Sequence, residues 1–469
     1  MRDLQMWAQL ALAAAGAVDT IEVPRSENGF VSMPISYKSH DRPLMKRDED
    51  NNVPLFNISV LSYLIELTIG TPGQPVKVAI DTGSSELWVN PNCKTSQSTA
   101  QYQECLTNGE YDPDQSSTST DLNSMNTIPY GIGTVEIEYY KDNVALPNST
   151  IKLKDIQVGA ASRSQDLNEG ILGLSFGGKA PTADLRYNNF VDELVLQNVT
   201  DSRTFSVALG NQDASNGGVI IFGGIDTGKF TGKMTTVPVL GPQGGENLYR
   251  VRRYWVQLKS IGSTMGGSSK KYDNSATAIV IDTGSSLSTL PSGVVSSMVR
   301  DLNGQTDRQG NVIVPCPSSS TTDNTFDFDF GAVPIRIPYR NFVIEAGPRT
   351  CILGVQAATS GGVMLLGDTF MRSAYVVFDQ DNMQVGLAPY ANCGENEQTI
   401  PAGGVGNVQG KCDSSNSNSG NGGGGGSNSG SGNGGSGSGD KKDTATGLSA
   451  TLAPLALLFW TLCISFMTM

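Results

Sequence analysis

Histidine is almost missing from this chain, whose 469 residues include only His40. A Ser-His-Asp or Cys-His nucleophile needs a histidine as its base, and a zinc site of the HExxH type needs two. His40 falls in an N-terminal segment that we expect to be removed, so these enzyme classes are excluded for the mature chain. Carboxylates remain as the groups that transfer protons, and we expect neither a metal nor a cofactor.

Basic residues are also scarce. Lys and Arg number 32 against 45 Asp and Glu, which gives a formal net charge of −13. Binding of nucleic acid requires clusters of Lys and Arg, so we expect no nucleic-acid partner. Solubility is the ordinary consequence of such a charge, and an acidic surface also suits a protein that stays folded at low pH.

Long stretches of helical periodicity are scarce as well. Residues 54–393 contain short alternating apolar and polar stretches separated by Gly, Pro and Asn, which is typical of β-strands. The best helix candidates are Asn189–Asn198 and Gly293–Leu302. The sequence therefore predicts a mostly β protein.

One five-residue motif occurs twice. Asp-Thr-Gly-Ser-Ser stands at Asp81–Ser85 and again at Asp282–Ser286, each time after an apolar run that predicts a buried strand. An apolar pair followed by glycine comes at a similar distance after each copy, ending at Gly173 and Gly367. A single DTG is a weak signal because turns often contain Asp and Gly. The duplication indicates two similar halves that each offer one carboxylate.

Two carboxylates held close together share a proton, so that one acts as a base and the other as an acid. We therefore expect Asp81 and Asp282 to hold one water molecule between them and to activate it for attack on a peptide carbonyl. Positioned proton transfer of this kind contributes roughly 10²–10⁴ in rate. The sequence thus predicts a peptidase whose nucleophile is water.

The residues beside the two aspartates predict supporting roles. Gly83 and Gly284 permit a close approach of the backbone, where a Cβ atom would obstruct the substrate. The hydroxyls of Ser84 and Ser285 can donate hydrogen bonds to the carboxylates and stabilise the charged form. Ordinary turn chemistry is the alternative explanation for these serines.

With these motifs, the chain resembles the pepsin-like aspartic peptidases over about residues 55–393. The resemblance implies a mostly β, bilobal fold with two pseudo-symmetric lobes and a central catalytic cleft. It implies that Asp81 and Asp282 are the catalytic pair, and that the hydroxyls of Thr82 and Thr283 brace the two loops across the cleft. Leu366–Arg372 is similar to a segment near the end of the family's second lobe.

The resemblance also implies a flap, a hairpin that closes over the substrate. Tyr130 corresponds to the tyrosine at its tip, and Trp88 to the tryptophan that holds this tyrosine. The remaining flap residues are Gly131, Ile132, Gly133 and Thr134. Residues that resemble substrate-binding positions are Ile132, Ile171, Tyr254 and Ser286. For Ile171 a place in the core is nearly as good an interpretation.

Both ends of the chain carry signals for export. Residues 1–17 resemble a secretory signal peptide, and 18–47 a pro-peptide cut after Lys46-Arg47. The lobes then cover 48–240 and 241–400. Residues 401–439 form a Gly/Ser/Asn-rich stalk that behaves as a flexible coil. Residues 440–469, with an apolar end, match a removed GPI-attachment signal with Ser438 or Gly439 as the attachment site; a tail-anchored transmembrane helix is the alternative.

Seven cysteines fit this scheme, because removal of the tail takes Cys463 and leaves an even number. The family resemblance pairs Cys93 with Cys105 and Cys316 with Cys351. Cys393 and Cys412 then remain as the third pair. N-glycosylation sequons occur at Asn57, Asn148 and Asn198.

Together these features predict a secreted, GPI-anchored aspartic endopeptidase that acts at acidic pH, as a monomer, on peptide and protein substrates. The anchor and the pro-peptide resemble those of the fungal yapsin group, which implies cleavage beside basic or bulky apolar residues. Negative charge for a basic preference could come from Glu86, Glu104 and Glu110. The alternatives are a catalytically silent wall glycoprotein with the same fold, and a soluble vacuolar or secreted protease.

Overall fold

The computed structural model describes residues 28–43 and 57–412, apart from 96–98, 131–132, 148, 166, 180–185, 211–217, 244–251, 274, 308–309, 319–320, 322, 332–333, 348–349, 360 and 402. These residues belong to one unit of the chain, Met1–Gly420. Several predictions concern residues outside the described part: the signal peptide, the dibasic pair, Gly131, Ile132, Asn148, all of the stalk after Cys412 and the GPI signal.

The structure is mostly β, as predicted. The first strands are β1 Val31–Pro34, β2 Ser36–Pro43, β3 Asn57–Ile69, β4 Gln74–Asp81, β5 Leu87–Val89, β6 Thr120–Pro129, β7 Thr134–Ala145, β8 Lys152–Gln165, β9 Gly170–Gly173, β10 Gly178–Lys179 and β11 Arg186–Tyr187. Next come β12 Thr204–Ala208, β13 Val219–Phe222, β14 Gly224–Asp226, β15 Thr235–Pro238, β16 Trp255–Leu258, β17 Ser260–Met265, β18 Ser268–Asp273, β19 Thr277–Ile281 and β20 Ser288–Leu290. The last are β21 Gln305–Thr306, β22 Val312–Val314, β23 Thr325–Asp329, β24 Pro334–Pro338, β25 Val343–Gly347, β26 Thr350–Leu353, β27 Val355–Ala357, β28 Leu365–Leu366, β29 Ala374–Asp379, β30 Gln384–Pro389 and β31 Glu397–Thr399.

Helices are short and few among the described residues. They are α1 Thr99–Leu106, α2 Phe190–Leu196, α3 Ser292–Asp301 and α4 Asp368–Met371. Both helix candidates from the sequence are confirmed by α2 and α3. Asn189 begins α2 with a capping box, in which its side chain accepts from the Asp192 backbone and the Asp192 carboxylate accepts in return. In the part of the chain that the structure describes, no helix has the length and apolar character needed to cross a membrane.

Each half of the chain has its own sheets. The first half forms an eight-stranded sheet in the order β2-β3-β4-β9-β5-β8-β7-β6. The second half forms a five-stranded sheet in the order β16-β19-β28-β20-β27 and two four-stranded sheets. The duplication in the sequence reappears here, because β4 pairs parallel to β9 and β19 pairs parallel to β28. β9 and β28 then pair antiparallel to β5 and β20 in the same way.

A six-stranded sheet contains strands from both halves, in the order β1-β13-β12-β29-β30-β15. Every residue of β12 and β29 is buried, which matches their nearly continuous apolar sequences. This shared sheet therefore ties the two predicted lobes together.

The N-terminal segment before the dibasic pair is part of the fold. β1 forms the edge of the six-stranded sheet, where it pairs with β13 and buries Val31 and Met33. β2 pairs with β3 along its whole length. The segment also contacts the C-terminal end of the described chain, because Ser32 donates a hydrogen bond of 2.5 Å to Glu397. The segment that we predict to be a pro-peptide therefore contributes two strands.

Candidate active site

Both motif aspartates lie at the ends of buried strands. In β4 the alternating residues Val76, Val78 and Ile80 are buried, and Asp81 ends the strand. Asp282 follows directly after β19. Asp81 and Asp282 are 6% and 9% exposed as whole residues, so both are almost removed from water.

Two threonines brace the motif loops against each other. The Thr82 hydroxyl donates to the Ile281 carbonyl at 2.9 Å and accepts from the Thr283 N–H at 3.0 Å. The Thr283 hydroxyl does the same in the opposite direction, with the Ile80 carbonyl at 2.9 Å and the Thr82 N–H at 3.0 Å. Since all four bonds are buried and cross between the halves, they fix the relative position of the two aspartates.

The two glycines face the opposite carboxyl groups. A Cβ atom on Gly83 would lie 2.8 Å from Asp282 Oδ1, and one on Gly284 would lie 2.7 Å from Asp81 Cγ. Each carboxyl group therefore packs against the backbone of the other loop, where a side chain would not fit. The structure thus brings Asp81 and Asp282 together at one site.

The inner hydrogen bonds of the two carboxyl groups are alike. The Gly83 N–H donates to Asp81 Oδ1 at 2.8 Å, and the Ser84 hydroxyl donates to Asp81 Oδ2. At the other motif, the Gly284 N–H lies 2.9 Å from Asp282 Oδ1 and the Ser285 hydroxyl 2.8 Å from Oδ2. The remaining surface of each group is the side that faces the other carboxyl.

Burial and the neighbouring Asp282 carboxylate raise the pKa of Asp81, against the lowering effect of the Ser84 and Gly83 hydrogen bonds. The pair therefore favours a state that holds one proton. Such a pair can take a proton from a bound water molecule and give another to a carbonyl oxygen. Among the described residues, no group of three His, Cys, Asp or Glu could hold a metal ion.

The repeated glycines after each motif have a packing role. A Cβ on Gly173 would lie 2.5 Å from the Ser85 backbone carbon, and one on Gly367 would lie 2.7 Å from the Leu287 carbonyl oxygen. In addition, the Gly173 N–H donates to the Glu86 carbonyl at 2.9 Å. These glycines let β9 and β28 pack closely against the segments that carry the two motifs.

Tyr130 lies at the turn of the β6–β7 hairpin. Its N–H donates to the Gly133 carbonyl at 2.7 Å, and Thr134 begins β7 opposite Pro129. The indole N–H of Trp88 donates to the Tyr130 hydroxyl at 2.7 Å. Burial and the nearby Asp81 raise the pKa of the Tyr130 phenol, which also hydrogen-bonds with Ser84. The tyrosine, the tryptophan and the first motif thus form one connected group.

The candidate substrate-binding residues have different surroundings. Ile171 is 9% exposed and belongs to a small apolar cluster with Trp88, against which Tyr130 packs. Ser286, the last residue of the second motif, is half-buried. Tyr254 is completely buried, and its hydroxyl donates to the Leu174 carbonyl. The prediction that Tyr254 lines the cleft is wrong, because no part of its side chain is left for a substrate.

Sequence reasoning missed two charged residues next to the motifs. The Arg253 guanidinium donates from Nε to the Gly83 carbonyl at 2.8 Å. Asp368, the first residue of α4, is buried, and burial raises its pKa, with Arg372 opposing this effect and Asp282 adding to it. Asp368 directly follows the repeated Gly367, and this position in the repeat could have identified it as a residue near the second motif. The Arg252-Arg253 pair resembles ordinary surface charge in the sequence.

Glu86, Glu104 and Glu110 were predicted to supply negative charge near the cleft, and the side chain of Glu104 lies outside the described part of the structure. Glu86 is 5% exposed, and its carboxylate accepts a hydrogen bond from the buried Tyr139 hydroxyl. Glu110 is exposed and lines a surface cavity together with Gln74 and Ser162. Neither glutamate is therefore placed as an exposed charge beside the aspartates.

All three cysteine pairs named from the sequence are joined in the structure: Cys93–Cys105, Cys316–Cys351 and Cys393–Cys412. The last pair joins Cys412, the end of the described chain, to Cys393, and the backbone of Cys412 also pairs with Thr231 in an isolated β-bridge. Of the sequon residues, Asn57 begins β3 and Asn198 is exposed just after α2.

Comparison with known proteins agrees with this geometry. The family model described as eukaryotic aspartyl protease matches residues 62–390. A probable aspartic-type endopeptidase, opsB, of Aspergillus fumigatus is 32% identical over 409 residues, which cover 83% of this chain and 79% of the relative. The aspartic proteinase yapsin-3 of Saccharomyces cerevisiae is 28% identical, with 84% and 80% covered.

The fold is also that of a solved structure, the aspartic proteinase from Irpex lacteus. The TM-score is 0.58 at 19% identity, and the match covers 77% of this chain and 98% of the other. The paired aspartates, the braced loops and the hairpin over them therefore occur in a chain that belongs to the eukaryotic aspartyl protease family and is an aspartic-type endopeptidase.

Proposed function

We propose that Asp81 and Asp282 are the catalytic pair and hydrolyse peptide bonds through a water molecule held between them. The observation that carries this assignment is the packing of each carboxyl group against the glycine of the opposite motif. It brings the two acids together at one site, where each carboxyl group accepts from the glycine N–H of its own motif.

Hydrolysis of the peptide bond requires that the two carboxyl groups together hold one proton. The ionised carboxylate takes a proton from water while the water oxygen attacks the peptide carbonyl carbon, and the protonated carboxyl donates to the carbonyl oxygen. A proton then moves to the nitrogen of the resulting diol, and the C–N bond breaks to give an acid and an amine. Closure of the hairpin that carries Tyr130 would exclude bulk water during these steps.

Activity at acidic pH follows from this mechanism. The pair works only with a single proton, and loss of that proton at higher pH leaves two carboxylates with no acid. Because burial and Asp282 raise the pKa of Asp81, the single proton is retained well above the pH at which an isolated aspartate ionises. We expect the upper limb of the pH profile to report this loss.

The assignment is tested with Asp81→Asn and Asp282→Asn, which preserve size and remove the titrating group. We expect each variant to lose turnover of a peptide substrate at pH 3–6 by more than about 10³-fold, with an unchanged circular dichroism spectrum. Asp307→Asn is a suitable control, since Asp307 bonds to Asn311 in an outer turn. Full turnover by either motif variant contradicts the mechanism.

We also propose that the enzyme is exported and held at the cell surface by a GPI anchor, at Ser438 or Gly439. The three disulfides support an oxidising compartment, and the apolar tail supports the anchor. Release from intact cells by a phosphatidylinositol-specific phospholipase tests the anchor. Protein that stays on the membrane after this treatment supports the transmembrane alternative, and protein found in the medium without treatment supports a soluble enzyme. The sequons at Asn57, Asn148 and Asn198 are proposed glycosylation sites.

Processing after Lys46-Arg47 is the remaining part of the proposal. A cut there would not by itself release the N-terminal segment, since β1 and β2 are hydrogen-bonded to β13 and β3. We expect that the segment assists folding, and that a chain starting at Asp48 recovers less active enzyme on refolding than the full chain does. Equal recovery from both chains would show that the segment has no part in folding.

A further inference from the structure

Three buried side chains connect the first catalytic segment to both strands of the β6–β7 hairpin. Glu86 directly follows the first motif, Tyr139 belongs to β7 and Asn126 to β6. The Tyr139 hydroxyl donates to the Glu86 carboxylate, and the Asn126 side-chain N–H donates to the Tyr139 oxygen at 3.2 Å. A hydroxyl carries one proton and also accepts hydrogen bonds, so Tyr139 serves both neighbours at once. We call these three residues the hairpin base group.

Glu86 is a fixed point for this group, because its backbone is held next to the catalytic strand. Its carbonyl accepts from the Gly173 N–H at 2.9 Å, and Gly173 pairs with Asp81 between β9 and β4. A Cβ atom on Gly173 would clash with the Glu86 backbone nitrogen, so the two backbones are in close contact. The Glu86 backbone therefore has a defined position relative to Asp81.

The backbone ladder of the hairpin is interrupted close to this group. The register of β6 against β7 shifts between Asp121 and Met125, and Asn123, which lies between them, has a left-handed φ of 50°. A bulge of this kind bends a strand and leaves residues unpaired. Asn126 is the second pairing residue after the interruption. The base group thus supplies a contact with the catalytic segment at the point where the strand resumes.

A second contact holds the tip of the same hairpin. There the Trp88 N–H donates to the Tyr130 hydroxyl at 2.7 Å, and Tyr139 belongs to the same small apolar cluster as Trp88. Four residues separate Asn126 from Tyr130, which is roughly 13 Å of extended chain. The hairpin is therefore attached at two levels, and both attachments lead to one short segment that contains Glu86 and Trp88.

Asn126 has surroundings that stability alone does not favour. Its Oδ1 atom is buried and has no hydrogen-bond partner among the described residues. A buried polar atom without a partner destabilises a fold, and a leucine of similar size would not have this effect. The contribution of the asparagine is its hydrogen bond to Tyr139. A polar residue kept under these conditions is typical of a position with a role beyond packing.

We propose that the hairpin base group positions the hairpin for substrate binding, with Glu86 as the positioning residue that acts through Tyr139 and Asn126. The inference rests on the proposed catalytic role of Asp81 and Asp282. Without the group, a smaller fraction of molecules has the hairpin placed for binding, and the apparent affinity falls by that fraction. Bond cleavage in the bound complex is unchanged, so KM rises while kcat is retained.

Steady-state cleavage of one peptide at acidic pH tests this expectation. Tyr139→Phe removes both hydrogen bonds with a single oxygen atom. It should raise KM by about three- to tenfold, the size of one buried hydrogen bond, and keep kcat within about twofold of wild type. Glu86→Ala should act in the same way, whereas Glu86→Gln keeps an acceptor oxygen and should have a KM near that of wild type. Asn126→Leu should raise KM by about two- to threefold without lowering Tm, because it also removes the unpaired Oδ1.

Tyr375→Phe is the matched control. Tyr375 is also buried, and its hydroxyl donates to Ser206 at 2.8 Å and accepts from the Asp226 N–H at 2.7 Å. It lies in β29 of the six-stranded sheet rather than in the hairpin. The control therefore loses the same number of buried hydrogen bonds. It should lower Tm about as much as Tyr139→Phe does and leave KM unchanged.

Hydrogen–deuterium exchange gives a readout that does not depend on activity. The amides of residues 127–128 and 134–137 should exchange faster in Tyr139→Phe than in wild type or in Tyr375→Phe. Unchanged KM together with unchanged exchange in Tyr139→Phe overturns the proposal. A lower kcat at unchanged KM, as in the control, would also overturn it, since the group would then serve stability only.

Failure of the proposed function gives a different result. If the wild-type protein cleaves no peptide under any acidic condition, the catalytic assignment of Asp81 and Asp282 fails. The exchange comparison between Tyr139→Phe and Tyr375→Phe then decides on the hairpin base group alone. Faster exchange confined to the hairpin of Tyr139→Phe supports its positioning role, and equal exchange in both variants refutes it.

Discussion

Replacing Gly284 by alanine should place a methyl group against the Asp81 carboxyl. The new Cβ would lie 2.7 Å from Asp81 Cγ, about 0.7 Å inside the 3.4 Å at which ordinary contact begins. The carboxyl group cannot turn away easily, because the Gly83 N–H and the Ser84 hydroxyl both bond to it. Gly284 does not have a left-handed backbone, so alanine suits its conformation and only the side-chain contact is unfavourable.

A shift of this size matters more for catalysis than for folding. Misplacement of a reacting group by about 1 Å can reduce the rate by roughly 10²-fold, so we expect kcat to fall by roughly 10- to 100-fold. Gly83→Ala makes the reciprocal contact with Asp282 at 2.8 Å and should have a similar, slightly smaller effect. The assay is steady-state cleavage of a peptide at acidic pH, together with thermal unfolding.

The control for these variants is Gly293→Ala. Gly293 lies in α3, and a Cβ there would meet no atom within 4 Å. Alanine in a helix is favoured over glycine by up to about 1 kcal/mol, so this variant should be fully active and slightly more stable. Wild-type kcat in Gly284→Ala would show that the two motif loops are not packed as described, and would refute the reasoning.

Three further predictions follow from individual contacts. The pKa of Asp81 is raised above its value of 3.8 in the unfolded chain, so its contribution to stability is complete below pH 3.8 and is lost as the pH rises. Asp81→Asn should therefore raise Tm near pH 7 and change it little at pH 3; a pH-independent difference in calorimetry would contradict this sign. Tyr130→Phe removes the acceptor of the buried Trp88 N–H and should reduce kcat/KM by roughly tenfold, whereas unchanged kinetics would show that the hydroxyl is dispensable. Replacing Cys393 and Cys412 by alanine removes a cross-link between residues that are 19 positions apart in the chain, and should weaken the attachment of residues 396–411 by about 3 kcal/mol. We expect faster amide exchange at these residues, with peptide cleavage unaffected. Unchanged exchange would mean that packing alone holds this segment.

The duplicated motif allowed much of the site to be predicted. A strand ending in Asp, a tight turn and a later apolar-apolar-Gly element describe local structure, which a sequence specifies directly. Gly173 and Gly367 could be recognised because each packs so closely against the backbone of its motif segment that a side chain would not fit. Their packing against the motif loops shows why the pattern occurs twice.

Residues that act across long distances in the chain were harder to find. Tyr254 resembles a cleft residue, but the aromatic packing with Phe205 and Phe378 buries it. That environment depends on three distant segments of the chain coming together: β12, β29 and the residues just before β16. Arg253 was missed and Glu86 misjudged for the same reason, because an isolated charge in a sequence gives no indication of whether it contacts a backbone carbonyl, a buried tyrosine or water.

The structure of the N-terminal segment was also difficult to predict from its sequence. Its composition and the dibasic pair after it indicate removal, yet Val31 and Met33 alternate with exposed residues as in any edge strand. Alternation over four residues is too short to distinguish a strand from a polar linker. Only the pairing with β13 reveals that the segment completes the shared sheet.

The two halves supply equal inner surroundings for their aspartates, yet the reaction needs one acid and one base. Each carboxyl has a glycine N–H and a serine hydroxyl, and each loop has the same threonine brace, so the repeat itself does not distinguish them. The difference comes from residues outside the repeat: Tyr130, which reaches Ser84 beside Asp81, and Asp368, whose charge is coupled to Asp282. Duplication thus fixes the geometry of the pair, and the surroundings of the two carboxyl groups differ in their unrepeated neighbours.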